Sequence, residues 1–84
     1  MAHVVMYTTA VCPFCTRAKA LLTAKGVDFE EQRVDLTPEG RQFLIDLTGR
    51  RTVPQILIDH QPVGGFDDLV VLNRSGELDA MLAA

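Results

Sequence analysis

The two cysteines of the chain, Cys12 and Cys15, stand three positions apart where a β-branched run gives way to strong helix formers. No other feature narrows the fold as much, because it demands a strand, a short turn and a helix that opens on the motif itself. His3 to Tyr7 is β-branched and aromatic enough for a first strand, and Thr8-Thr9-Ala10-Val11 reads as the loop after it. Pro13 suits the first position of a helix, and Phe14 to Lys25 continues it. Ala18, Leu21 and Leu22 form its apolar stripe, and Lys25-Gly26 marks its end.

The same reading extends down the chain. Val27 to Leu36 carries a second strand, with Phe29 and Val34 as core residues. Thr37-Pro38-Glu39 has the form of a helix start: a capping hydroxyl, then proline, then an acid in the first turn. Phe43, Leu44 and Leu47 repeat at helical spacing before Thr48-Gly49 stops that helix. Arg50 to Pro54 is a loop, Gln55 to Ile58 a short strand, and Asp59-His60-Gln61 a hairpin turn into Pro62-Val63-Gly64. Asp67 to Asn73 predicts a third helix, and Leu78 to Leu82 a terminal one after Ser75-Gly76. The order βαβ then αββα implies two parallel strands with a right-handed crossover, followed by an antiparallel hairpin. Residues 1–84 therefore read as a single α/β domain, the size such a chain allows.

Composition removes several functions. With 48% apolar and 23% charged residues the chain is not of the disordered class. No apolar run approaches the roughly 20 residues needed to cross a bilayer. Met1 to Tyr7 lacks a basic leader and a long apolar region, so the expectation is an untargeted cytoplasmic protein. The net charge of −3 comes from mixed acids and bases, with neither a basic stripe for nucleic acid nor a polybasic membrane anchor.

The cysteine spacing favours chemistry over architecture. A bridge closing four residues removes only about 2 kcal/mol of unfolded-chain entropy, against about 3 for a fifteen-residue loop, so it would be a weak staple. Zinc requires four ligands, and His3 and His60, the remaining candidates, stand at no ligand spacing, so no metal is expected. At a helix N-terminus, by contrast, orphan N–H groups and the helix dipole favour a thiolate, which is the nucleophilic form of cysteine. A three-residue helical separation brings the two Cα atoms to roughly 5 Å, inside the window for a disulfide. Cys12 is expected exposed at the tip as the attacking sulfur, with Cys15 facing inward to resolve, the two forming a redox-active disulfide.

Taken together, Val5-Met6-Tyr7, Cys12-Pro13-Phe14-Cys15 with Arg17-Ala18-Lys19, Thr52-Val53-Pro54 and Gly64-Gly65-Phe66-Asp67-Asp68 resemble the glutaredoxins of the small bacterial dithiol kind, over essentially the whole chain. The resemblance implies a thioredoxin fold, a four-stranded mixed β-sheet flanked by helices. It implies a cis peptide bond before Pro54 that sets the Val53 backbone beside the active cysteine, and a groove that binds glutathione as an extended peptide. The groove is expected to use Phe14, Arg51, Thr52, Val53, Pro54, Gly65, Phe66 and Asp67. Val53 would pair with the tripeptide's cysteine, and the turn at Gly65, Phe66 and Asp67 would receive its γ-glutamyl end. Elementary chemistry points the same way, since Gly64-Gly65 allows close backbone approach, a helix start offers N–H groups to a carboxylate, and Asp67 can accept from an ammonium.

The implied activity is glutathione-dependent reduction of glutathione mixed disulfides and protein disulfides, serving electron transport and cell redox homeostasis. Glutathione would be co-substrate, and glutathionylated or disulfide-containing proteins, ribonucleotide reductase among the candidates, the partners of a monomer. Phe14 stands where the family usually has Tyr, and Thr9 where it usually has a Lys that holds the glutathione glycine carboxylate. Arg51 or Arg41 could supply the missing charge. One alternative is an iron–sulfur cluster held between two chains by Cys12 and two glutathiones. Relatives of that type tend to replace Pro13 or Cys15 by Gly or Ser, which argues against it. Another is a hydrogen donor reduced by thioredoxin reductase, a type that lacks the Gly65-Phe66-Asp67-Asp68 pattern.

Overall fold

The computed structural model describes residues 2–83. Strand β1, Val4–Thr8, alternates buried Val4, Met6 and Thr8 with half-buried Val5 and Tyr7, so one of its faces is sealed and the other partly open. Helix α1 covers Pro13–Ala24, β2 Glu30–Arg33, α2 Gly40–Thr48, β3 Gln55–Ile58, β4 Gln61–Gly64, α3 Phe66–Ser75 and α4 Glu77–Ala83. The strands form one mixed sheet in the order β2-β1-β3-β4. β1 runs parallel to β2, with Val5 opposite Glu30, and antiparallel to β3, with Val5 opposite Leu57. β3 and β4 form the hairpin, and Asp59 and His60 at its two-residue tip both have positive φ, 50° and 68°, the backbone that matches the twist of flanking strands. This is the four-stranded, helix-flanked thioredoxin arrangement expected from the sequence.

The core lies between the sheet and helices α1, α3 and α4. Val4, Met6, Ile56 and Ile58 of the sheet meet Ala18 and Leu22 of α1, Leu69 of α3, and Leu78 and Leu82 of α4. On the other face Tyr7 touches Phe43 of α2, their ring centroids 5.9 Å apart. The glycines close the helices as read: after α1, Gly26 takes φ 71°, and the Val27 N–H donates to the Leu22 carbonyl at 3.1 Å.

Two expectations are corrected. The second strand is Glu30–Arg33, not Val27 to Leu36, because five-residue β1 offers partners only for that stretch. Phe29 accordingly packs on the core only partly buried, while Val34 is buried. Helix α2 begins at Gly40, not at Thr37-Pro38: residues 37–39 form a turn in which the Gly40 N–H donates to the Thr37 carbonyl at 3.2 Å. Gly40 lies so close to Val34 that a Cβ would overlap the Val34 carbonyl, so the tight return from β2 overrides the local start signal. Of the apolar trio of α2 only Leu44 is buried; Phe43 and Leu47 are exposed.

Candidate active site

Helix α1 opens on the motif, and its first turn builds the reactive centre. Cys12 is the N-cap residue, in extended conformation, and Pro13 follows at the first helical position. The Cys12 sulfur accepts the Cys15 N–H at 3.1 Å, while the Cys12 carbonyl takes the Thr16 N–H at 3.1 Å. Cys12 and Cys15 are joined by a disulfide, with Cα atoms 5.2 Å apart. Cys15 is buried against the core side of α1, whereas Cys12 is half-buried at the rim. Across the rim, the peptide bond between Val53 and Pro54 is cis, and the Val53 carbonyl oxygen stands 3.7 Å from the Cys12 sulfur.

A cleft of about 290 Å³ opens beside this sulfur. Its walls are Phe14, the segment Thr52-Val53-Pro54, and the start of α3 at Gly65, Phe66 and Asp67, with Arg50 and Asp68 closing one end. The rings of Phe14 and Phe66 lie 6.2 Å apart, and the Arg17 guanidinium sits over Phe14 at 5.3 Å from its centroid. Seven of the eight residues expected in the groove line this cleft. Arg51 does not: it is exposed, and its backbone carbonyl accepts from Arg41 at 3.4 Å. The cation in the wall is its neighbour Arg50.

Asp68, which the sequence offers only as the last residue of the Gly64–Asp68 landmark, has a role of its own. It stands three residues after Gly65, the N3 position of α3, where an acid commonly reaches back to cap a helix. One Asp68 oxygen accepts the Gly65 N–H at 2.9 Å and Arg50 Nη1 at 2.9 Å. The Gly65 amide first, and the Arg50 guanidinium second, hold its carboxyl below the usual carboxylate range. A depressed folded value means that the cap contributes above the ordinary aspartate range and is lost as pH falls through the folded value. Asp68→Ala should therefore lower the melting temperature by several degrees at pH 7, the effect of a lost cap of about 1 kcal/mol. That gap between wild type and variant should close in strongly acid solution, as thermal melts across pH would show.

A second polar tie lies behind the motif. The buried Thr8 hydroxyl donates to Glu31 Oε2 at 2.6 Å, and Lys19 of α1 pairs with the same oxygen, so β1, β2 and α1 are joined at the active pole. These two bonds hold the Glu31 carboxyl below its ordinary range. Among the described residues, no three His, Cys, Asp or Glu side chains converge in a way that could hold a metal ion, and no helix is long and apolar enough to cross a membrane.

Comparison with known proteins decides the family. The glutaredoxin family model matches residues 4–63. The chain belongs to the glutaredoxin family. It is 56% identical to a glutaredoxin of Pseudomonas aeruginosa over the full length of both, and 51% identical to glutaredoxin 3 of Escherichia coli over 98% of this chain and 99% of that one. Among solved structures, the buckwheat glutaredoxin–glutathione complex superposes with a TM-score of 0.90 at 29% identity, covering 98% of this chain and 77% of that one. Like other glutaredoxins, the protein is a thiol–disulfide oxidoreductase, and the Cys12–Cys15 pair is its redox-active disulfide.

Proposed function

We propose that this glutaredoxin uses glutathione as its reductant, with Cys12 as nucleophile and Cys15 as resolving thiol. The observation that carries the proposal is the Cys12 sulfur at the N-cap of α1, 3.7 Å from the carbonyl of Val53, which lines a cleft that continues to the start of α3. In deglutathionylation the Cys12 thiolate attacks the glutathione sulfur of a mixed disulfide, and the protein sulfur leaves as thiolate. A second glutathione thiolate attacks the same glutathione sulfur, releasing Cys12 and forming glutathione disulfide. In the dithiol route Cys12 first bonds to one sulfur of a protein disulfide. Cys15 then gives up its proton and attacks the Cys12 sulfur, so that the substrate leaves reduced and the internal disulfide remains.

Glutathione would lie extended along the cleft. The Val53 backbone would pair with its cysteine, Thr52 and Pro54 would form the floor, and Phe14 the apolar wall. Gly65, Phe66 and Asp67 would receive the γ-glutamyl end, with the Asp67 carboxylate accepting from its ammonium. Arg50 supplies the cation that the sequence placed at Arg51, which stands outside the lining. The glutathione complex of the structurally similar buckwheat glutaredoxin supports glutathione as the ligand. The cluster-binding dimer is not favoured: both Pro13 and Cys15 are retained, and the Cys15 sulfur is bonded to Cys12. We assign the activity to a single-domain monomer of the cytoplasm, acting on glutathionylated and disulfide-bearing proteins such as ribonucleotide reductase.

A coupled assay with glutathione, glutathione reductase, NADPH and a small glutathione mixed disulfide tests this directly. NADPH consumption that depends on the protein is expected. Reduction by thioredoxin reductase but not by glutathione would overturn it. Thr9→Lys, which restores the cation usual in the family, should lower the apparent KM for glutathione up to about fivefold, the effect of an exposed pair of about 0.2–1 kcal/mol. The decrease should shrink with added salt.

A further inference from the structure

Two large apolar side chains beside the nucleophile have no place in the core. Val11, bonded to Cys12, is 90% exposed, and Leu36, just after β2, is 70% exposed. The Ala10 N–H donates to Asp35 Oδ2 at 3.1 Å, which ties the loop before Cys12, carrying Val11, to the loop after β2, carrying Leu36. The charge at this tie is cancelled, because Arg33 grips both oxygens of Asp35 at 2.6 and 2.8 Å. No residue from Thr8 to Thr16 carries a charged side chain. Cys12 is thus preceded by an exposed apolar residue in an uncharged loop, and followed by Phe14 of the cleft wall.

Glutathione in the cleft has no use for such exposed apolar residues, but a protein disulfide does. When the Cys12 thiolate attacks, one substrate sulfur bonds to Cys12 and the other leaves as thiolate. The attacked cysteine's chain then passes over the ground next to Cys12, where Val11, bonded to Cys12, stands exposed. We propose that Val11 and Leu36 form a docking rim for protein disulfide substrates, and that it takes an apolar side chain flanking the substrate's reacting cysteine. The inference rests on Cys12 being the nucleophile. Burial of apolar surface there is the driving force, and the lack of net charge makes it independent of salt.

The test uses one folded protein with a single exposed disulfide in two versions, with Leu or Asp next to the reacting cysteine. Each is reduced in single turnover by prereduced enzyme, a measurement that needs no glutathione and so fails separately from the glutathione reading. The Val11→Ser/Leu36→Ser double variant should raise the half-saturating concentration of the Leu version about tenfold at an unchanged maximal rate. The Asp version and a small glutathione mixed disulfide should be unaffected, and Val11→Ile should behave as wild type. Unchanged saturation by the Leu version, or an equal loss toward the small disulfide, would overturn the proposal. So would a loss that tracks concentration-dependent dimerisation in sedimentation, which would make a second copy of the chain the occupant.

Discussion

Replacing Cys12 by serine is expected to abolish reduction of both glutathione mixed disulfides and protein disulfides, whereas Cys15→Ser should keep or raise the first and lose most of the second. The asymmetry follows from the first turn of α1. The Cys12 sulfur accepts the Cys15 N–H and stands at the positive end of the helix, in a half-buried residue beside the Val53 carbonyl. Cys15 is buried one turn further in, where it reaches the Cys12 sulfur itself. A glutathione mixed disulfide needs one protein sulfur, because free glutathione completes the cycle. Without Cys15 the enzyme cannot divert into its internal disulfide, so turnover should hold or rise. Direct reduction of a protein disulfide needs both sulfurs. Both variants in both assays, with mass spectrometry of the glutathionylated Cys15→Ser protein, give the answer. Equal inactivity of the two toward the mixed disulfide would reverse the assignment.

Gly64→Ala should be a strongly damaging change for a single methyl group. Gly64 closes β4 with φ 109°, a backbone that residues with a Cβ rarely adopt, and that Cβ would run into the Asp68 carboxylate. Backbone strain of about 1–3 kcal/mol adds to the displaced cap of about 1 kcal/mol. The melting temperature should fall by roughly 8–30 °C, using about 4–8 °C per kcal/mol for a domain of this size. The KM for glutathione should rise as well, because Gly65 and Phe66 follow directly in the cleft wall. Gly26→Ala is the control. Its φ of 71° is also positive, but nothing lies near the new Cβ and the cleft is distant in the chain, so it should cost only about 1–2 kcal/mol and leave KM unchanged. A Gly64→Ala protein as stable as Gly26→Ala would show that the Asp68 contact is easily relieved.

The sequence was most legible where local and global demands agree. Pro13 after Cys12 announces the start of α1, Gly26 its end, and the β-branched run at Gln55–Ile58 a strand that is buried throughout. Legibility failed where a distant contact outvoted a local signal. Thr37-Pro38-Glu39 has every mark of a helix start, yet the approach of Gly40 to Val34 moves α2 two residues on. Periodicity placed Phe43 and Leu47 beside Leu44, but it could not say that only Leu44 would be sealed while the other two stay exposed. In the irregular loop before Thr52, adjacent arginines point to different surroundings with no period to tell them apart. Arg50 reaches Asp68 and the cleft, and Arg51 does not.

The N-cap sulfur ties the electrochemistry of the protein to the thermodynamics of one helix. Oxidised, Cys12 accepts the Cys15 N–H as a neutral sulfur; reduced, the same bond runs to a thiolate and becomes charge-assisted. Folding and reduction therefore close a thermodynamic cycle, in which any excess stability of the folded dithiol over the folded disulfide reappears as a higher reduction potential, about 30 mV for each 1.4 kcal/mol. Substitutions that strengthen or weaken the first turn of α1 without touching either cysteine can then set how readily the protein gives up its electrons.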